Sequence, residues 1–435
     1  MSIHIIARQL FTTVSKNQHL KKLIRDNSLY LGISILSSSA TIILIPLYLS
    51  YFSVAEYGEL ALMNATFGFL AILITLSLES AFQTFYFDQP TENVVDYFRS
   101  IRSFALLFAT LVLGVMTLAG PWLFQITFSN SDISFYPNGL LVLLNVAFTL
   151  VNQIYFVLLR NQEKVKRYGK YIAMSTVLTM VLQVVLITIA DMGVTGALLG
   201  MMLANGTVFF LVWRPSGGFS LNIQWESVKK SLKYSLWLIP FFLINWFLAK
   251  GDRLIVERFL GLEEVGIYAL LMNIAMVISL ITTSVLNSIR PTLFREFKKL
   301  TGSLSRAIAN IGLYFTGILA ITSLAIYLFV RSLDYFSLFA AYTSIKEYIG
   351  LGLALFVLRA FFRLFSEYLS FLKRSKDLSF ISIMSVALFG FLLWQQSAQL
   401  SLDGLLLILV IVNGISLVLI VGRCIIMLKK QPHAS

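Results

Sequence analysis

The sequence predicts an all-α, polytopic membrane protein of about twelve transmembrane helices in two parallel six-helix bundles around a central cavity. Three observations predict it. Hydrophobic residues make up 58% of the 435 positions and charged residues only 13%, where soluble chains sit near ~45–50% and ~25%. The basic residues fall in alternate connections between apolar runs. The chain also repeats itself at one fixed offset.

Mean hydropathy is +0.82, too apolar for a water-soluble fold of this size to cover its own surface. The apolar runs last about 20 residues, the length a spanning helix needs. The alternating runs of roughly ten residues that mark a membrane barrel are absent from the sequence.

Spans are expected at 28–50, 60–79, 103–124, 138–159, 171–190, 194–213, 234–258, 264–289, 307–330, 348–371, 378–397 and 404–428. Residues 1–27 form an amphipathic, basic segment on the inner surface: the run Ile3 to Val14 is broken by Arg8, and no small-residue cleavage site follows. The domains read as 28–213 for the N-terminal bundle, 214–233 for a cytoplasmic linker, 234–428 for the C-terminal bundle and 429–435 for a cytoplasmic tail.

Orientation follows from Lys and Arg. The tail before helix 1 holds Arg8, Lys16, Lys21, Lys22 and Arg25, and the loop after helix 2 holds Arg99 and Arg102. Arg160, Lys164, Lys166, Arg167 and Lys170 follow helix 4, and Arg214, Lys229, Lys230 and Lys233 follow helix 6. Arg290, Arg295, Lys298, Lys299 and Arg306 follow helix 8, Lys373, Arg374 and Lys376 follow helix 10, and Arg423, Lys429 and Lys430 end the chain. Opposite connections carry Asp132, Asp191 and Asp403 without Lys or Arg nearby. The positive-inside rule then places both termini in the cytoplasm.

A net charge of +13 would point to nucleic acid in a soluble protein; here it is topogenic charge and contact with anionic lipid, and no nucleic-acid partner is expected. The single cysteine, Cys424, supports neither a disulfide framework nor a metal site. His4, His19 and His433 all lie in the terminal tails. No P-loop, H-E-x-x-H or G-x-S-x-G motif occurs. No connection is long enough for a separate catalytic domain, so the chain is expected to be no enzyme and to need no cofactor.

The repeat aligns Glu56-Tyr57-Gly58-Glu59-Leu60-Ala61-Leu62 with Glu264-Val265-Gly266-Ile267-Tyr268-Ala269-Leu270, an offset of 266 − 58 = 208. The same offset aligns Gly196 with Gly404 and Asn205-Gly206 with Asn413-Gly414. Six spans per half make the repeats parallel, with a cavity expected between halves that rock against each other.

Helix 10 carries Arg359, Arg363 and Glu367 at a spacing of four, on one face. Arg359 lies roughly 16 Å into the span at 1.5 Å per residue. A central Arg costs about 2.5–3.5 kcal/mol, so it must meet water, a partner or an anion. The bland alternative for Arg363 is an ion pair with Glu367. Helix 7 carries Lys250-Gly251-Asp252-Arg253, whose repeat partners Ile42 to Ile45 are uncharged, so the fold itself does not demand charge there. Pro240 is expected to kink this helix. Glu79 closes helix 2 and Arg290-Pro291 closes helix 8, both at the interface. Asn145, Asn152 and Gln153 in helix 4 either meet sugar hydroxyls or bond neighbouring helices.

The chain resembles the multidrug/oligosaccharidyl-lipid/polysaccharide exporter superfamily, and within it the O-antigen and polysaccharide repeat-unit flippases of the Wzx type. The residues that carry the likeness are Ile45-Pro46-Leu47 and Glu56-Tyr57-Gly58 in the first half. In the second they are Ile239-Pro240, Gly251-Asp252-Arg253-Leu254-Ile255-Val256 and Val265-Gly266-Ile267-Tyr268. The resemblance implies an inner-membrane flippase of lipopolysaccharide and O-antigen biosynthesis whose cavity opens alternately to cytoplasm and periplasm. Its cargo would be an undecaprenyl-diphosphate-linked oligosaccharide, and its partners membrane lipid, a polysaccharide polymerase and a chain-length regulator. Arg359, Arg363, Lys250 and Arg253 are expected to hold the diphosphate, with Asp252, Glu367, Asn152 and Gln153 also lining the cavity. The rivals are a multidrug exporter of the same superfamily and an integral membrane polymerase or glycosyltransferase.

Overall fold

The computed structural model describes residues 29, 32, 33, 36, 37, 40, 42–90, 93–131, 133–213, 215, 217, 218, 223–298, 306–372 and 374–429. The expected segment 1–27, most of the first span before Ile42, the tail from Lys430 with His433, and Asp132, Arg214, Lys299 and Lys373 lie outside them.

The described residues contain helices and turns and no strand. In order they are α1 (Ile42–Tyr51), α2 (Val54–Thr75), α3 (Leu78–Phe85), α4 (Val94–Thr127), α5 (Leu140–Asn161), α6 (Val165–Thr188), α7 (Gly193–Trp213) and α8 (Trp225–Ser235). There follow α9 (Ile239–Trp246), α10 (Asp252–Leu260), α11 (Leu262–Ala275), α12 (Val277–Lys298), α13 (Arg306–Arg331), α14 (Ile345–Phe371), α15 (Ser375–Gln396) and α16 (Leu402–Lys429). Ten helical stretches among the described residues are long and apolar enough to cross a membrane, eleven if the broken pair Trp225–Trp246 and Ala249–Leu260 is one span. The chain is a multi-pass membrane protein. Its outward faces say the same: Leu111, Val115, Leu118 and Trp122 lie exposed along one side of α4, the stripe that acyl chains solvate.

The helix boundaries have local causes. Ser53 and Glu56 form a capping box: the Ser53 amide donates to the Glu56 carboxylate at 2.8 Å, and the Glu56 amide to the Ser53 hydroxyl at 3.2 Å. Leu76 and Ser77, at φ 48° and 53°, stop α2, so Glu79 stands in the first turn of α3 rather than closing helix 2. Pro240 opens α9 after a 3₁₀ turn at Leu236–Leu238, where its missing N–H costs nothing. A π-helical turn at Phe247–Gly251 then separates α9 from α10.

Two expected loops are helical. Arg99 and Arg102 lie on α4, which begins at Val94. Arg102 is 1% exposed, its guanidinium over the rings of Phe98 and Trp213 at 5.2 and 5.5 Å. Aromatic faces attract a desolvated cation, so this Arg is a packed residue rather than a solvated topogenic charge. Likewise Arg290 and Pro291 do not close helix 8; α12 continues to Lys298.

The chain packs into two compact units. The first takes the described residues up to Phe52 and Leu62–Gly251; the second takes Ser53–Ala61 and the described residues from Asp252 on. In unit 1, α8 buries Val228, Ser231 and Ser235, and the hydroxyls of Tyr97 and Ser231 share a hydrogen bond at 2.9 Å. The segment expected as a linker, 214–233, thus holds the start of a packed helix, and the units part inside the expected seventh span.

In unit 2 the two repeat motifs face each other. A Cβ on Gly58 would stand 2.2 Å from the Leu262 carbonyl oxygen, and one on Gly266 would stand 2.1 Å from that of Val54. Val54 and Leu262 are themselves separated by 208 positions. Each glycine therefore permits the same backbone approach, viewed from opposite sides.

Candidate functional site

Unit 2 gathers charge in its interior. Asp252 opens α10 and is 4% exposed; Arg253 beside it is 9% exposed. Their side chains approach to 3.6 Å, and the Tyr268 hydroxyl donates to Asp252 Oδ2 at 2.6 Å. A buried carboxylate needs such donors. Tyr268 comes from α11, which the turn at Gly261, φ 96°, folds back against α10. Asp252, Arg253 and Arg359 all act electrostatically on the Tyr268 hydroxyl. Arg359, half-buried on α14, also lies 5.4 Å from the Phe356 ring centroid. The chain thus brings Asp252, Arg253 and Arg359 to one neighbourhood. Tyr57, which takes a hydrogen bond from Asn273 Nδ2 at 2.9 Å, borders it and feels Arg253.

The other two members of the helix 10 face go elsewhere. Glu367, 7% exposed, receives two hydrogen bonds from Arg290 on α12, at 2.8 and 2.5 Å. Arg363 is exposed and donates to Thr283 Oγ1 at 2.7 Å. The expected alternative, an Arg363–Glu367 pair along α14, is therefore corrected: both side chains reach across to α12, where Arg290 offers Glu367 a forked, two-bond geometry. Lys250 sits on the π-helical turn and is exposed.

The polar residues of α5 belong to unit 1. Asn205 on α7 donates to Asn145 Oδ1 at 2.8 Å and accepts from Ser175 at 2.9 Å, while Asn152 donates to the Asn205 carbonyl at 3.0 Å. These bonds tie α5, α6 and α7 together, as neutral side chains do in apolar surroundings. Asn152 Oδ1 is buried without a hydrogen-bond partner among the described residues. Gln153 is exposed.

Sequence reasoning assigned no role to Tyr268, Tyr57, Asn273 or Arg290 as partners. Tyr268 stood in a quoted motif, but its pairing with Asp252 spans 16 positions and depends on the turn at Gly261. Arg290 carries a signal in retrospect: a cation beside Pro291 in a helix that continues must find a partner.

Long apolar helices thus enclose buried charge inside one unit of a multi-pass membrane fold. The fold matches that of an inward-facing multidrug-resistance MATE family transporter of the MOP superfamily, with TM-score 0.63, 16% identity, and coverage of 91% of this chain and 96% of that one. A point variant of a Vibrio cholerae MATE transporter matches with TM-score 0.62 and 16% identity over 94% and 97% of the two chains. A Pyrococcus furiosus MOP superfamily transporter, described as having a binding pocket whose reverse polarity suggests a different function, matches with TM-score 0.53 and 15% identity over 94% and 95%. No curated protein matches the sequence. Residues 51–333 match the family described as polysaccharide biosynthesis protein, and the chain belongs to that family.

Proposed function

We propose that the protein flips an undecaprenyl-diphosphate-linked oligosaccharide repeat unit from the cytoplasmic to the periplasmic leaflet of the bacterial inner membrane, by alternating access and with both termini cytoplasmic. The polysaccharide biosynthesis family and the transporter fold support carriage of a lipid-linked saccharide. The observation that carries the finer reading is the charge inside unit 2, where Arg253 and Arg359 share one neighbourhood with Asp252, and the buried Glu257 follows one turn after Arg253 on α10.

The physical problem such a protein solves is desolvation. A sugar hydroxyl taken into hydrocarbon without a partner costs about 4–8 kcal/mol. The diphosphate costs more, and guanidinium groups match its oxygens two at a time. In this reading Arg359, Arg253 and Arg363 hold the diphosphate and Asp252 with Tyr268 orients Arg253, all within unit 2. The lipid tail stays in the bilayer. Moving about two negative charges out of an inside-negative cell releases roughly 4–5 kcal/mol per 100 mV, a driving force that needs no ATP; collapsing the potential should then slow flipping.

The likeness to multidrug transporters favours a second reading, export of cationic drugs. The carboxylates argue against it. Glu367 is neutralised by Arg290, Asp252 is engaged by Tyr268 and Arg253, and the buried Glu257 lies one turn from Arg253 on α10.

The test replaces Arg359 with alanine and with lysine and measures surface polysaccharide at matched protein levels. A charge-assisted hydrogen bond is worth about 1.5–3 kcal/mol, so Arg359→Ala should lower flipping ten- to a hundred-fold, with partial recovery in Arg359→Lys. Full activity in both variants removes Arg359 from the site.

A further inference from the structure

Unit 1 carries a second, separate concentration of positive charge. A cleft of about 200 Å³ opens where the first turns of α4, the end of α5, the start of α6 and the turn after α7 meet. Arg99, Lys164 and Arg167 line it, with Tyr155, Gln162 and Gly217. Two segments distant in sequence, the start of α4 and the start of α6, thus bring three cations to one small space.

Like charges held together raise the energy of the empty site unless an anion joins them. The protein supplies little of one. Asp96 lies 3.6 Å from Arg99, but both side chains are about half exposed, where such a pair contributes little. Lys164 and Arg167 have no ion pair among the described residues. Glu163, next to Lys164, does not line the cleft. Arg99 Nε is buried and has no hydrogen-bond acceptor among the described residues, although a guanidinium presents its donors as a fixed fork. Gly217 keeps that fork clear: at φ 87° only glycine is unstrained, and a Cβ there would stand 3.0 Å from Arg99 Nε.

The rim shows what else the ligand carries. Val95, 50% exposed, and Leu158 also line the cleft, and α4 continues from this point into its exposed apolar stripe. The space is smaller than the ~300–1,000 Å³ of most small-molecule pockets. It suits a phosphate headgroup with its hydrocarbon outside, not a whole oligosaccharide.

We propose that this cleft binds a lipid-borne phosphate, held by Arg99, Lys164 and Arg167, with the acyl or isoprenyl chain running along α4. The site lies wholly in unit 1 and does not depend on the transport reading. Two sources offer this chemistry: an anionic phospholipid of the bilayer and the diphosphate of an isoprenoid carrier.

Native mass spectrometry of the purified full chain distinguishes them, with phosphatidylglycerol, phosphatidylcholine and undecaprenyl diphosphate as probes. Each cation near an anionic headgroup strengthens binding roughly five-fold, so the triple variant Arg99→Gln, Lys164→Gln, Arg167→Gln should bind its anionic lipid about 100-fold more weakly. Phosphatidylcholine should be unaffected. Loss confined to phosphatidylglycerol names the bilayer as the source; loss confined to undecaprenyl diphosphate names the carrier; either supports the site. Equal binding of both anionic lipids by wild type and triple variant overturns it. So does displacement of the lipid by inorganic phosphate at equal concentration, since the chain would then add nothing. Gly217→Val keeps every charge and crowds Arg99; it should also weaken the anionic lipid at least ten-fold, and unchanged binding in this variant overturns the proposal even if the triple variant fails to fold.

Discussion

Leu44 and Ile45 in α1 are 5% and 8% exposed; Asp252 and Arg253, 208 positions later, are 4% and 9% exposed. Leu60 is 2% exposed, and its counterpart Tyr268 is 0%. The same depth recurs at Phe82 and Leu159, 0% and 2% exposed, which correspond to Arg290 and Glu367. One half places hydrocarbon where the other places two acids, Asp252 and Glu367, three cations, of which Arg290 and Arg359 are only partly buried, and a hydrogen-bonding tyrosine, once Val151, at 0%, is set beside Arg359. Packing alone therefore accepts apolar residues at these depths. Buried charge that a fold can do without, and that costs desolvation, is kept for some other reason, and transport of an anionic headgroup is the reason proposed here. The glycines teach the converse. Gly58 and Gly266 are retained in both halves because each meets a backbone carbonyl, and architecture admits no alternative.

The largest effect should come from the shared feature. Gly58→Ala and Gly266→Ala each drive a methyl group into a carbonyl oxygen that no rotamer change can relieve. Each should destabilise by about 3 kcal/mol or more, by similar amounts, as read from thermal unfolding in detergent. A large difference between the two would break the symmetry of the contact. Next, giving unit 2 the chemistry of its counterpart, with Asp252→Leu, Arg253→Ile and Tyr268→Leu together, should abolish surface polysaccharide. Unfolding temperature should fall, because Arg359 and the buried Glu257 remain after their neighbours become apolar, and adding Glu257→Leu and Arg359→Val, its repeat counterpart, should restore most of the loss. By contrast Tyr268→Phe alone withdraws the donor from Asp252 and should cost about 1–3 kcal/mol. A triple variant that still transports would show that the charge serves something else.

Glu367→Gln tests the second ion pair. It should destabilise by about 1–2 kcal/mol, since Arg290 remains partly exposed and can find water, and Glu367→Gln with Arg290→Gln should recover part of that loss. The smallest effect belongs to unit 1: Asn205→Ala removes the side-chain bonds to Asn145 and Ser175, leaves the backbone carbonyl that Asn152 meets, and should cost about 0.6 kcal/mol per bond lost, with flipping unchanged at matched protein levels.

Hydrophobic run length and alternation of Lys and Arg made the multi-pass helical class legible, and the fixed offset made the repeat legible, because each is a one-dimensional pattern. Some errors share a cause. Arg102 read as a loop charge because a basic residue between apolar runs is normally solvated, whereas here Phe98 and Trp213 cover it. Arg290-Pro291 read as a helix end because proline usually marks one, yet α12 passes through it. Within the candidate site, Asp252, Arg253 and Arg359 were visible as charges that hydrocarbon would not tolerate alone. Their company was not, since Tyr268 and Tyr57 look like any other aromatic residue in an apolar run.

Composition, periodicity and charge bias by themselves determined that the chain crosses a membrane many times and that its two halves are related, because lipid imposes those constraints on each segment separately. Tertiary structure alone decided that Glu367 joins Arg290, that Tyr268 holds Asp252, that Gly58 and Gly266 serve one close contact, and that Arg99, Lys164 and Arg167 share a cleft. These are pairings between helices, and a pairing energy depends on distances that no local pattern encodes.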